Sequence, residues 1–360
     1  MPSQNLSKID FRRRLIDWYK AQRRELPWRE TKDPYKIWVS EIMLQQTTVK
    51  AVVPHYKRWL KIFPDIKTLA RAPLQKVLRA WQGLGYYQRA KNLHQASKTI
   101  VNHYSGQIPQ NYEELIRLPG FGPYTTAAVL SFTFNKPYPV LDANVRRVLM
   151  RLGRIEGEAD NRNDKILLEH LEPFLPQKNL GLFNQALMEI GSLVCKARNP
   201  LCLLCPIREY CKAYKTGEQE IIPRPRKRNY QKIEVVVGIL RKNGHYLIQK
   251  RPATGLLAGL WEFPGGKRKR GETLSQAFRR EIKEELGAEV KEEKFLIKVH
   301  HAYTQFQVTL YAYECSLRQE PKLKKNFHRW VTLSGLGKYP FPSGSAKIVN
   351  YLEQRDKIRK

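Results

Sequence analysis

Four groups of residues are of types and spacings that could do chemistry. Glu41 stands in Trp38-Val39-Ser40-Glu41-Ile42-Met43-Leu44-Gln45-Gln46-Thr47, where apolar neighbours put it on or beside an apolar helix face. A carboxyl half-buried there has its pKa raised and can hold a proton near neutral pH. Asp142 stands on a loop entering a helix, Leu141-Asp142-Ala143-Asn144, downstream of the turn Leu118-Pro119-Gly120-Phe121-Gly122-Pro123-Tyr124. Cys195-x6-Cys202-x2-Cys205-x5-Cys211, with Pro206 after the third thiol, can wrap one cubane cluster; zinc sites more often show two Cys-x2-Cys pairs. Glu281, Glu284 and Glu285 lie at i, i+3 and i+4, so their carboxylates share a helix face and are candidates to hold a hard divalent cation such as Mg or Mn. Taken alone, Glu41 reads better as an exposed side chain of an amphipathic helix, and helix glutamates often only face solvent.

The elements that must position these groups are legible from punctuation and period. Residues 9–24 have a helical period, Leu26-Pro27-Trp28-Arg29 ends that helix, and Asp33-Pro34 opens the segment of Glu41. Around 118–124 Pro119 stops one helix, Gly120 and Gly122 free the turn, and residues 125–131 begin the next. The unpaired N–H groups of such a turn suit a phosphate, although an ordinary helical hairpin would read the same way. Trp81-Gln82-Gly83-Leu84-Gly85-Tyr86-Tyr87 puts a bend before an aromatic pair, with Tyr87 assigned to the core. Residues 183–191 form a helix closed by Gly191.

Charge adds a partner class. The chain of 360 residues carries 65 Lys+Arg against 33 Asp+Glu, a net charge of +32, and both halves are basic, so both parts are expected to meet a polyanion. Four of its five cysteines are clustered, which favours a metal site over a disulfide framework; Cys315 reads as a plain strand residue. No stretch approaches a membrane span and the N-terminus has no signal-peptide core, so no membrane partner is expected and the reading is a cytoplasmic protein, nucleoid-associated in a bacterium. Residues 218–232 read as an extended, charged linker through Pro223-Arg224-Pro225-Arg226-Lys227-Arg228. Beyond it, residues 234–240 and 245–250 read as strands about an Asn243-Gly244 hairpin turn.

The 118–144 stretch resembles the helix-hairpin-helix-Gly/Pro-Asp superfamily of DNA glycosylases, in which the hairpin holds DNA and the Asp faces the sugar. Members that also cut the strand carry an imine-forming Lys where this chain has Tyr124, which implies base removal without lyase chemistry. The string from Trp38 to Thr47 is similar to the signature of MutY-type adenine DNA glycosylases, and the cysteine spacing is similar to the 4Fe-4S loop of the endonuclease III and MutY branch. Gly266-x5-Glu272-x7-Arg280-Glu281-x2-Glu284-Glu285-x-Gly287 satisfies the Nudix box, with Ala288 at its last apolar position.

The resemblance implies an all-α glycosylase domain, residues 1–217, followed after the linker by an α/β Nudix fold, residues 233–360. It implies excision of adenine opposite 8-oxoguanine or guanine in duplex DNA by a monomer. Glu41 would be the acid, Asp142 the group stabilising the cationic sugar, and Tyr124 and Asn144 the groups orienting Asp142 and the sugar. DNA would meet Arg29, Gln45, Gln46, Thr47, Tyr86, Gly120 and Gly122. Asn184 and Gln185 resemble positions near the adenine pocket, and a capped surface amide is the alternative. Tyr303, Thr304 and Gln305 correspond to the loop that reads the opposite base, Gln305 replacing the family's last His. Lys196, Arg198 and Arg208 make the cluster loop basic, so the cluster would shape a DNA contact. An endonuclease III-like lyase, a nucleotide pyrophosphohydrolase working at the Nudix box, and a non-catalytic damage-binding protein remain alternatives.

Overall fold

The computed structural model describes residues 7–226, 230–303 and 305–359. These fall into two compact units: one runs to Arg71 and resumes at Asn92, and the other joins Ala72–Lys91 to the C-terminal part.

The first unit is helical: α1 (Lys8–Gln22), α2 (Pro34–Leu44), α3 (Val49–Ile62), α4 (Ile66–Arg71), most of α6 (Gln88–His103), α7 (Tyr112–Leu115), α8 (Pro123–Phe134), α9 (Ala143–Gly153), α10 (Asp164–Leu171), α11 (Leu180–Leu193) and α12 (Lys212–Lys215). Helix α2 starts where Asp33 accepts hydrogen bonds from the amides of Tyr35 and Lys36 and Pro34 takes the first turn. Its residues from Ile37 to Met43 are all buried, Glu41 included. Trp38 stacks on Phe121 at 4.9 Å between ring centroids, which fixes α2 against the hairpin between α7 and α8. Helix α11 crosses α8 and α9 closely because it carries glycines at the crossings. A Cβ on Gly181 would overlap the Ser131 carbonyl, and one on Gly191 would stand 2.7 Å from the Asn144 Cβ. The sequence reading had Gly191 close this helix, but α11 continues through it to Leu193.

The supposed linker is partly fastened to this unit. Arg151 donates to the Ile222 carbonyl, the Arg224 amide donates to the Gly157 carbonyl, and Arg154 pairs with Glu218. Ile222 is buried, so the chain is fastened to this unit as far as Arg224.

The second unit holds α5 (Leu74–Trp81), the first residues of α6, and a seven-stranded sheet of β1 (Gln231–Lys242), β2 (His245–Lys250), β3 (Trp261–Glu262), β4 (Gly265–Lys267), β5 (Val290–Tyr303), β6 (Phe306–Leu317) and β7 (His328–Thr332). The main path runs β3-β2-β1-β6-β5, with β1 and β6 parallel; β4 pairs with β1, and β7 with β2. Asn243 and Gly244, both at positive φ, close the β1–β2 hairpin as the sequence signals. Helix α13 (Leu274–Leu286) buries Phe278 and Ile282 on one sheet face; α14 (Leu333–Leu336) and α15 (Ser343–Arg359) bury Leu336 and Ile348 on another cluster. The segment Ala72–Lys91, which lies inside the stretch expected to be the glycosylase domain, packs with this unit. Gln75 bonds to the Gly259 carbonyl and the Trp261 indole, and the Tyr87 hydroxyl donates to the Phe341 carbonyl at 2.7 Å.

Candidate active site

Glu41 is 3% exposed, and its only hydrogen bond recorded among the described residues comes from the Tyr124 hydroxyl at 2.6 Å. Burial pushes its carboxyl up to about 7, with the Tyr124 bond and Arg29 pulling the other way and Asp142 adding to the rise. Tyr124 is on the first turn of α8, so the hairpin and α2 meet at this pair. Asp142 caps α9: one carboxylate oxygen accepts from the Val145 amide at 2.6 Å, the other from the Asn144 side chain at 2.9 Å. Burial raises its pKa, while those two donors and Arg147 lower it. Asn144 is in turn held by Arg147, which also donates to the carbonyls of Gly191 and Cys195. Two carboxyls near one another thus have different surroundings: Glu41 lacks a cation in contact, and Asp142 sits at a helix N-terminus among donors. That is the arrangement expected of an acid beside an anion.

At the hairpin, Gly120 has φ of +84°, but Gly122 does not; it caps α8 without a side-chain acceptor, and a Cβ there would meet nothing within 4 Å. The absence of a side chain at Gly122 leaves the helix N–H groups open to the outside. Gln46 and Tyr86 both have left-handed backbones, φ 55° and 48°, conformations that tight bends impose on non-glycine residues only where surroundings hold them. Gln46 is exposed, Gln45 bonds to the Thr125 hydroxyl, and the Thr47 hydroxyl donates to the Gln45 carbonyl. Arg89 donates to the carbonyls of Leu84 and Gly85 and lies over the rings of Trp81 and Tyr86, which shapes that bend.

All four clustered cysteines line one small cavity of about 30 Å³, closed by Arg151 and Tyr214. Arg151, buried, donates to the Cys195 sulfur and to the carbonyls of Lys196 and Ala197. Among the described residues no three His, Cys, Asp or Glu side chains are gathered closely enough for a single metal ion. Four sulfurs facing one cavity fit a multi-iron cluster, whose ligands stand further apart than those of a lone tetrahedral ion.

In the second unit, Arg280 bonds to Glu272 at 2.6 Å, Glu281 at 2.7 Å and Glu284 at 3.0 Å. Glu285 faces away from it, accepting from Gln249 and the Gly265 amide, and burial pushes it up to about 7. Glu281 lies over Gly266, where a Cβ would collide with its carboxylate. A cavity of about 570 Å³ adjoins Glu281, Glu285, Glu262, Gln249, Phe263 and Tyr87. The hairpin expected to read a base is a tight turn in which Tyr303 and Phe306 are register partners and Gln305 is exposed; Thr304 lies outside the described residues.

Family models match three parts of the chain: HhH-GPD superfamily base excision DNA repair protein over residues 39–174, iron-sulfur binding domain of endonuclease III over 195–211, and NUDIX domain over 235–351. The adenine DNA glycosylase of Buchnera aphidicola subsp. Baizongia pistaciae is 38% identical over 271 residues, covering 72% of this chain and 74% of that protein. The chain belongs to the adenine DNA glycosylases. The Mus musculus adenine DNA glycosylase is 31% identical over 382 residues, covering 89% of this chain and 74% of its own length. The structure of a thermostable thymine-DNA glycosylase superposes with a TM-score of 0.54 at 30% identity, covering 60% of this chain and all (100%) of that one.

Within this MutY-type glycosylase several residues sit differently from the sequence reading. Tyr124 was expected to orient Asp142, yet its hydroxyl is given to Glu41. Arg29 was expected on DNA, but it is 10% exposed and both its terminal nitrogens bond to Glu189. Asn184 is not a surface cap. It is fully buried, bonding to Ser131, the Tyr138 carbonyl and the Val140 amide, and so fixes the loop leading to Asp142. Gln185 accepts from the Tyr19 hydroxyl at 2.7 Å. Glu189 was missed by the sequence reading. It is 1% exposed and binds both Arg24 and Arg29, which bring its pKa down to about 2 although burial alone would raise it. Its position inside an apolar helix, like Glu41's, was the available signal.

Proposed function

We propose that this chain hydrolyses the N-glycosidic bond of adenine opposite 8-oxoguanine or guanine in duplex DNA, leaving the strand uncut. The observation that carries the reading is the Tyr124–Glu41 pair: a buried carboxyl with a pKa of about 7 holds a proton at neutral pH, and the residue beside it is not a lysine. Glu41 donates that proton to N7 of the flipped adenine, then as carboxylate helps a water attack. Asp142, held by Asn144 and the Val145 amide, stabilises the oxocarbenium-like sugar or bonds to it briefly. Flipping costs roughly a few kcal/mol, offset by Gln46 and Tyr86 entering the stack. Gly120 and Gly122 let the phosphate backbone approach α8, and Tyr303, Thr304 and Gln305 read the base opposite. Cys195, Cys202, Cys205 and Cys211 hold a 4Fe-4S cluster whose part is to shape the loop of Lys196 and Arg198. One chain supplies every group named, so a monomer suffices.

A duplex carrying A:8-oxoguanine, incubated with the protein and divided for treatment with and without alkali, tests this. Strand breaks only after alkali are expected. Breaks without alkali would favour a lyase, and none in either arm would remove the activity. A second reading, pyrophosphate hydrolysis of an oxidised nucleotide with Mg or Mn, draws on the cavity beside Glu281 and Glu285. Release of pyrophosphate from 8-oxo-dGTP that disappears in Glu284→Gln is its test.

A further inference from the structure

The Tyr86 bend has a conformation that its sequence alone does not favour. Gly83, Gly85 and Tyr86 all have left-handed backbones, with φ of +102°, +68° and +48°. Glycine takes such a conformation freely, but a tyrosine keeps it only where the surrounding chain holds it there. The flanks supply part of that hold. The Trp81 indole donates to the Gly85 carbonyl at 3.0 Å, and Arg89 donates to the carbonyls of Leu84 and Gly85.

The rest comes from Phe341, 254 residues beyond Tyr87 in the chain. Its carbonyl accepts from the Tyr87 hydroxyl at 2.7 Å and its amide donates to the Gln82 side-chain oxygen at 3.4 Å, so one residue grips the bend before and after its left-handed stretch. Phe341 is itself fixed. It is 1% exposed, its ring centroid lies 5.7 Å from that of Phe263, and the Pro340 carbonyl accepts from the Trp261 amide at 2.9 Å. Tyr87 is buried and Tyr86 only half-buried, so a tyrosine tied into the core adjoins one that is open to a partner.

We propose that Tyr87 and Gln82 are positioning residues which, bonded to Phe341, hold Tyr86 in the conformation in which it enters the base stack. The proposal rests on the reading of Tyr86 as a wedge. It adds that Phe341, a buried residue of the second unit, acts on the duplex at one remove, by preorganising the side chain that distorts it.

Tyr87→Phe keeps the ring and removes the bond to Phe341. Its effect is read as affinity of the full-length, cluster-containing protein for a duplex in which the adenine nucleotide opposite 8-oxoguanine carries a 2′-fluorine and resists excision. Affinity should fall about fivefold, the scale of one net hydrogen bond. Gln82→Leu, which removes the longer bond, should act in the same direction and less. A hydroxyl acting through Tyr86 has nothing left to act on in Tyr86→Ala, so adding Tyr87→Phe to that variant should leave affinity where Tyr86→Ala put it. A hydroxyl that only stabilises the fold would lower the melting temperature in both backgrounds and leave the affinity of folded protein unmoved. Unaltered affinity in Tyr87→Phe, or an equal loss with and without Tyr86→Ala, would overturn the proposal. Wild-type affinity in Tyr86→Ala alone would remove the wedge and the proposal with it. A wild type that binds this duplex but frees no adenine from its unfluorinated counterpart would sink the excision reading, and the cycle of variants would still decide the positioning role.

Discussion

The two carboxylate constellations of this chain carry equally intact motifs and differ in what surrounds them. Glu41 is buried and touched by one hydroxyl, so its proton is held by burial and remains available. In the Nudix box a single guanidinium, Arg280, takes Glu272, Glu281 and Glu284 together, and hydrogen bonding to it brings Glu272 down to about 2. Motif spacing tells which groups share a helix face. Their partners decide whether that face offers a proton, a ligand or a fastening.

The contrast can be broken most directly at Glu41. Glu41→Gln should retain duplex binding and lose excision by at least about 10²-fold, the scale of a general acid, in single-turnover assays. In the wild type the rate should fall as pH rises through about 7, because deprotonation removes the acid. A rate that climbs through the same interval would assign Glu41 to another role. Cys202→Ser should give colourless protein lacking iron and sulfide, with duplex affinity down roughly tenfold, the scale of one lost phosphate contact near 0.1 M salt. Stoichiometric zinc in the wild type would contradict the cluster.

A buried ion group in the first unit sharpens the comparison with the Arg280 group. Glu189→Gln leaves Arg24 and Arg29 without their anion, which should cost about 3 kcal/mol, at the low end for a buried pair because Arg24 remains 32% exposed. Since Glu189 has a depressed pKa, its contribution is whole above about pH 4.5 and is lost as pH falls toward about 2. The difference in melting temperature between wild type and variant should therefore shrink over that interval; a constant difference would show that charge is not its origin. Arg280→Gln should lower the melting temperature less, and added salt should narrow that loss, because Glu284 is half exposed at 53%. A loss as large as that of Glu189→Gln would erase the distinction between the two groups.

The candidate site was legible where its parts are near in sequence. The hairpin, the four thiols and the i, i+3, i+4 glutamates announce themselves by spacing, as does the Asn243-Gly244 turn. What escaped were pairings across long separations. Glu189 meets Arg24 and Arg29 from 165 and 160 residues away, and no local pattern ties them. Gly191 reads as a helix stop until α9 is seen against it, since the same missing Cβ serves a terminus or a crossing. Asn184 leaves a pocket residue and a surface amide both open in the sequence, because its three partners come from α8 and the loop beyond.

The attachment of Ala72–Lys91 to the second unit bears on how the chain can be cut. A break in the segment before Tyr230 would sever one peptide bond, yet α5 and the Tyr86 bend would still belong, by Gln75, Gln82 and Tyr87, to the fragment beyond it. A cut before Tyr230 therefore also parts the hydrogen bonds that Gln75, Gln82 and Tyr87 share with Gly259, Trp261 and Phe341.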